Sequence, residues 1–202
     1  AMGHYRLPDI NVKVAGQLRL NMAGDHLLVW HAGKAESAKY FIEPWLSALF
    51  AAHQSIESRL PTVFLNAEEK IAGPKNTFDA ALSRDGELND FLELTNQIQD
   101  LVAGYLIGLV RPLCYAPSTS DEIAKHLAGT TRIPAAPLNQ AVAKARHAKW
   151  EPDRSVDDGI PGEGESEAAR LAWRDTDPFA NLADWDDWVE KVAKPLRRWR
   201  KV

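Results

Sequence analysis

Ile10-Asn11-Val12-Lys13-Val14-Ala15-Gly16-Gln17-Leu18-Arg19-Leu20, followed at a short distance by His26-Leu27-Leu28-Val29-Trp30, is the stretch from which the fold class is read. The first run alternates apolar and polar side chains, the two-residue period of a half-buried strand. The second is a short apolar run, and Ala23-Gly24-Asp25 before it supplies turn residues. Together they predict an antiparallel hairpin with the second strand more deeply buried. Gly16 predicts a bulge or a close backbone approach in the first strand.

Outward from this hairpin the pattern becomes helical. Ser37 is placed to cap a helix running to about His53, with Phe41, Trp45, Leu46, Leu49 and Phe50 at helical spacing. Pro44 should kink that helix or start a second one. Thr62-Val63-Phe64-Leu65 reads as a third strand, residues 66–87 as loop-rich, and Phe78 as part of a further short strand. Leu88 to Val110 is the strongest helix, with Phe91, Leu94, Ile98, Leu101, Val102, Tyr105 and Leu109 on mostly three- and four-residue steps. Leu94, Ile98, Leu101 and Tyr105 are expected to cover the core, and Phe41, Leu46 and Leu49 to pack on the hairpin. Leu113-Cys114-Tyr115 reads as a short strand. Helices are expected from Ser120 to Ala128 and from Leu138 to Trp150. Trp185, Trp188 and Trp199 fall on one helix that Pro195 kinks or divides. This order predicts an α/β fold, a small mixed sheet flanked by helices. Residues 1–4 read as an expression-vector remnant and residues 5–202 as a single domain.

Composition narrows the classes. Apolar residues make up 45% and charged residues 26% of 202, an ordinary globular balance. The formal charge of −4 argues against a surface built wholly to grip nucleic acid. It leaves room for local patches. Residues 151–187 hold twelve acids against Arg154, Arg170 and Arg174, and Trp188 to Val202 then carries six cations against Glu190 alone. Cys114 is the sole cysteine, which forbids an internal disulfide and suits a reducing cytoplasmic setting. It reads as a small buried hydrophobe. The longest apolar run, Leu101 to Val110, spans ten residues where a membrane crossing needs about 20. No membrane role is expected. His26, His31, His53, His126 and His147 lack metal-ligand spacing, and no cofactor is expected.

A hairpin followed by a helix is the layout of metal-dependent nucleases of the PD-(D/E)XK type. Such sites need carboxylates on both strands to hold Mg²⁺ against the scissile phosphate. The first strand offers Lys13 and Arg19 but no acid. The second runs Leu28-Val29-Trp30-His31-Ala32-Gly33-Lys34, and the frame that keeps Lys34 puts Ala32 where the acid belongs. Arg19, Trp30, His31, Ala32 and Lys34 thus read as degenerate nuclease positions, with no catalytic residue.

Gly16-Gln17-Leu18, the run Leu28 to Lys34 and the helix Phe41 to Leu49 together resemble the C-terminal domain of RecC, the gamma subunit of exodeoxyribonuclease V. The run Ile98 to Leu113 is similar to that family's long helix and following strand. Lys144-Ala145-Arg146, Pro161 to Glu165 and Arg170-Leu171-Ala172-Trp173-Arg174 resemble its tail. Departures occur at Pro44, at His31 and Ala32, and in the expanded stretch 66–87. The resemblance implies a nuclease-like core without its active site. It also implies RecB-like and RecD-like partner subunits, and a role in assembly and in guiding DNA strands during processing of double-strand breaks. The competing reading is an active metal-dependent nuclease whose carboxylates have moved to a helix, with Glu43 the nearest candidate.

Lys194, Arg197, Arg198, Arg200 and Lys201 are the candidate DNA contacts. Lys194, Arg197, Arg198 and Lys201 share one helical face, suited to phosphates and blind to base sequence. The alternative is that these cations favour the helix dipole and keep the helix soluble. Trp173, Trp185, Trp188 and Trp199 read as core or as partner interface. Pro161 to Glu165 reads as a flexible connection before a helix, with a functional acidic loop as the alternative.

Overall fold

The computed structural model describes the backbone of residues 2–7, 10–15, 22–23, 26–31, 38–54, 61–66, 77–79, 89–129, 134–152 and 161–200, and side chains within 38–53, 94–129, 134–152 and 161–198. The chain forms two compact units, one of Ala1–Tyr105 with Arg198–Val202 and one of Leu106–Arg197.

In the first unit, β1 (Met2–Leu7) pairs antiparallel with β2 (Ile10–Ala15), from Leu7 opposite Ile10 to Met2 opposite Ala15. A second ladder has the order β3 (Met22–Ala23), β4 (His26–His31), β5 (Pro61–Asn66), β6 (Thr77–Asp79), with β4 and β5 parallel. The sequence reading paired the Ile10 strand with the His26 strand, and this is corrected. Among the described residues, β2 pairs with β1, and the antiparallel neighbour of β4 is the two-residue β3. Just Pro8 and Asp9 separate β1 from β2 in the chain, the shortest common hairpin connection, so local pairing prevails.

The expected α/β fold, a small sheet flanked by helices with a nuclease-like core, is also overturned. Among the described residues, strand pairing is confined to ladders within residues 2–79, and none of the residues with described side chains lies in a strand. From Asn89 onward every regular element among the described residues is helical. Leu113-Cys114-Tyr115 is no strand, because it is an irregular link between Pro112 and a helix that begins at Pro117.

Helix α1 (Ile42–Gln54) follows a 3₁₀ turn at Ala38–Tyr40. Pro44 sits in its first turn, where the backbone N–H has no intrahelical partner to lose. The proline therefore marks a start and no kink is required. Ala38, Phe41, Trp45, Ala48 and Leu49 form its buried stripe, and Leu46 is half-buried. On α2 (Asn89–Gly108) the buried stripe is Leu94, Gln97, Ile98 and Val102. Leu101 is only half-buried and Tyr105 is 67% exposed, which corrects the expected core face. The apolar end of this helix reaches solvent, with Leu109 66% and Val110 87% exposed.

Every regular element described in the second unit is helical. It contains α3 (Pro117–Ala128), α4 (Leu138–Ala145) prolonged by a π-turn at Arg146–Trp150, a 3₁₀ turn at Glu163–Glu165, α5 (Glu167–Ala172) and α6 (Leu182–Trp188). A second π-turn, Val189–Ala193, leads from α6 into α7 (Lys194–Arg200). Gly129 closes α3 at φ 63°, a conformation that disfavours any side chain with a Cβ. Pro195 has no N–H to offer the carbonyl four residues back, and the wide turn before it accommodates the loss. Helix α3 packs on α4 and on both π-turns. Ile123, Val142, Trp185, Val189 and Leu196 meet in the resulting core.

Ile98→Ala should lower stability by about 2–5 kcal/mol, as for any fully buried large-to-small change. Tyr105→Ala should stay within about 0.5 kcal/mol. Denaturant titration of the two variants distinguishes the faces of α2. Equal losses would show the helix turned differently.

Candidate nucleic-acid and partner interface

Helix α3 needs a cap that its neighbouring residues do not supply. Ala116 precedes α3 and has no side chain able to accept a hydrogen bond, and Pro117 opens the helix without an N–H. The Ser120 N–H reaches the Ala116 carbonyl at 2.8 Å, which leaves Ser118 and Thr119 as unanswered donors. Both are answered from 44 and 45 residues away. The Glu163 carboxylate accepts from Ser118 N at 2.8 Å and from Thr119 N at 2.7 Å, and its second oxygen also accepts the Thr119 hydroxyl at 2.7 Å. A carboxylate at a helix N-terminus is favoured by the exposed N–H groups and by the dipole. The sequence reading of Pro161 to Glu165 as a flexible connection is thereby corrected. A legible signal existed in Ala116-Pro117, a helix start with no acceptor of its own.

The glycines beside Glu163 are dictated by Trp150. A Cβ on Gly162 would lie 2.2 Å from the Trp150 carbonyl oxygen, and one on Gly164 would lie 2.4 Å from the indole Nε1. Both positions exclude a side chain unless the loop moves. Trp150 also stands nearly perpendicular to Phe179 at 5.6 Å and to Trp185 at 6.2 Å, while Phe179 and Trp185 stack at 4.9 Å. Trp185 donates its indole N–H to the Pro178 carbonyl at 2.8 Å. Trp185 and Trp188 are therefore core residues, 1% and 4% exposed. Arg146 lies over Phe179 at 4.9 Å and pairs with Glu151 at 3.1 Å and Asp177 at 3.6 Å. Its pKa is raised first by the hydrogen bond to Glu151.

Among the five candidate DNA contacts, the structure separates the residues that sequence spacing joined. Arg197 pairs with Asp121 of α3 at 3.2 Å, and both side chains are only 17% exposed. Lys194 is held by Glu190 one turn earlier. Arg198 is exposed, while the side chain of Arg200 and all of Lys201 lie outside the described residues. Of the degenerate nuclease positions, Trp30 and His31 lie on β4, and Arg19, Ala32 and Lys34 fall outside the described residues. Glu43 is exposed in the first turn of α1. Among the described residues no group of three or more His, Cys, Asp or Glu side chains is placed to hold a metal ion. None of the described helices is long and apolar enough to cross a membrane.

Cys114 is 5% exposed, beside the Pro178 carbonyl at 3.6 Å. Burial, with a smaller push from the Asp184 carboxylate, lifts its thiol from 9.0 to about 11, against the opposing pull of Arg111. Arg111 and Asp184 pair at 3.1 Å.

A protein assembled in this way, from short strand ladders followed by a capped helical unit, is a helix-rich module with no metal cluster among its described residues. The family model described as the RecC C-terminal domain matches residues 4–128, and the chain belongs to that family. It is thus a domain of a RecBCD-related subunit. The tail segments that resemble the family, from Lys144 to Arg174, lie beyond the matched residues. No curated protein matches the chain.

Glu163→Ala should destabilise the chain by about 2 kcal/mol, the upper range for a lost helix cap. Gly164→Ala should also destabilise it. Thermal melts followed by far-ultraviolet circular dichroism check both, and an unchanged melting point for Gly164→Ala would contradict the close approach of Trp150. The thiol supplies a pH test. The unfolded chain ionises Cys114 near 9.0 and the folded chain near 11, so the stabilisation is complete below pH 9. It is lost as pH rises from there through the folded value. Denaturation of the parent chain and of Cys114→Ala at pH 8 and pH 10.5 should show the parent losing more stability than the variant.

Proposed function

We propose that this chain is a catalytically silent module of a RecC-type gamma subunit. It serves subunit assembly and the guidance of DNA strands in a cytoplasmic helicase–nuclease that processes double-strand breaks. The match of residues 4–128 to the RecC C-terminal domain carries the reading. Its partners are RecB-like and RecD-like subunits, and its contact with DNA is to phosphates, without base specificity. Residues 5–202 act as one module in this assembly.

Two physical features support the assembly role. Ile107, Leu109 and Val110 are exposed apolar side chains clustered at one helix end, the kind of surface that a partner subunit covers. The second unit is held together by its own aromatic core and distant ion pairs, so it can present that surface in a fixed form. The absence of acids at Arg19 and Ala32 supports catalytic silence, because without them these positions cannot ligate Mg²⁺.

The test is reconstitution. The chain, within a full gamma subunit and with RecB-like and RecD-like partners, should co-elute as a complex on gel filtration, and Leu109→Asp with Val110→Asp should weaken assembly at least tenfold. The chain alone with Mg²⁺ or Mn²⁺ should leave linear duplex DNA intact. Metal-dependent cleavage by the purified chain would overturn the reading.

A further inference from the structure

Within a chain of net charge −4, the 28 residues from Ile123 to Trp150 contain no Asp or Glu and five Lys or Arg. The second half of this run is α4 with its π-turn, one continuous helical rod from Leu138 to Trp150. Ala141, Val142, Ala145 and Trp150 face the core. The outward side carries Asn139, Gln140, Lys144, His147 and Lys149, all exposed, interleaved with the exposed small residues Ala143 and Ala148.

The ion pairs of the unit fall elsewhere. Asp121 is taken by Arg197, Glu122 by Lys125 and His126, Asp184 by Arg111, and Asp187 by Lys191. Glu151 and Asp177 are both taken by Arg146. Asp186 is the further carboxylate on α6, the helix packed against α4. Lys144 and Lys149 enter no ion pair among the described residues. Lys144 and Lys149 thus stand as two unanswered positive charges on the outer side of α4, within a run free of acids, and Arg170 of α5 is a further exposed cation of the unit. The C-terminal basic helix instead gives up Lys194 and Arg197 to internal partners.

We propose that the outer face of α4 is a DNA-binding surface. Lys144 and Lys149 contact backbone phosphates, and the Asn139 and Gln140 amides lie alongside to hydrogen-bond phosphate or base edges. Ala143 and Ala148 keep the rod narrow where the duplex approaches. Charge complementarity selects the occupant, since an acid-free face on an acidic chain attracts a polyanion and repels most of the protein's own surface. The inference rests on the reading of the chain as part of a DNA-processing subunit, and it places the contact on a different helix from the one that sequence spacing favoured.

The experiment uses the whole chain of 202 residues with fluorescently labelled duplex and single-stranded oligonucleotides, followed by anisotropy over a salt series. Three proteins are compared: the parent, Lys144→Ala with Lys149→Ala, and Arg198→Ala. Circular dichroism verifies that the variants, altered only at exposed positions, retain the parent's helix content. The double variant should bind roughly tenfold more weakly at low salt, with the slope of log K against log salt reduced by about 2. Equal binding by parent and double variant would overturn the proposal. Loss in Arg198→Ala alone would overturn it while leaving DNA contact through the C-terminal helix standing. Failure of the parent to bind at low salt would overturn it too, without touching assembly with the helicase subunits. Displacement by polyglutamate as effective as by DNA would assign the face to an acidic protein partner instead.

Discussion

The indole of Trp150 is the point on which the helical unit depends. Its backbone carbonyl and indole ring fix the loop of Gly162 and Gly164, and the ring stands nearly perpendicular to the stacked pair of Phe179 and Trp185. Because the two glycines seat the loop against it, the Glu163 carboxylate arrives at the bare end of α3 and satisfies donors that no neighbour in sequence could reach. Packing and hydrogen bonding are thus coupled through one ring. Removing the indole would release the loop, and releasing the loop would uncap the helix that the rest of the unit packs upon. Such coupling makes neighbouring substitutions non-additive.

Charge is distributed by the same logic. Three arginine–aspartate pairs, Arg111 with Asp184, Arg146 with Asp177 and Arg197 with Asp121, join segments distant in sequence. Pairs of this kind contribute little where both groups are exposed, and more where, as for Arg197 and Asp121, both are largely covered. Their larger effect is on where the leftover charge goes. The acids of the tail, read in sequence as an isolated acidic stretch, are in good part answered by cations of the same unit.

Elements with strong local signals were legible in the sequence, and long-range partnerships were not. The spacing of Leu94, Ile98 and Val102 announces α2, and Leu138 to Trp150 is one helical rod as its pattern implies. Family membership was legible too, because the motifs around Trp30, Trp45 and the end of α2 keep their order along the chain. The pairing of β2 with β1 escaped because the first four residues were set aside as a vector remnant. The small mixed sheet as organising core failed because alternation speaks for a strand and says nothing of how much of the fold that strand organises. The core face of α2 was drawn one turn too long, since an apolar side chain such as Tyr105 is free to lie outside. Of the candidate contact face, spacing places Lys194, Arg197 and Arg198 on one helix, yet Asp121 and Glu190 claim Arg197 and Lys194, and no periodicity foretells such partners. The role of Glu163 lay hidden in a separation of more than forty residues, although Ala116-Pro117 marked the vacancy it fills.

The π-turns at Arg146–Trp150 and Val189–Ala193 have a meaning for how this chain tolerates change in length. Each fits one more residue into a turn than an α-helix would, and a helical residue corresponds to about 100° of rotation. Downstream of the second turn sit Leu196, fully buried, and Arg197, held by Asp121. Losing one residue within Val189–Ala193 would restore regular winding and leave both side chains near their present bearing, because the extra residue of the wide turn adds almost no net rotation. Losing one residue from a regular turn of α6 would instead swing both off their partners by about 100°. The π-turn is therefore the place where this chain absorbs a change of one residue in length without turning its last helix.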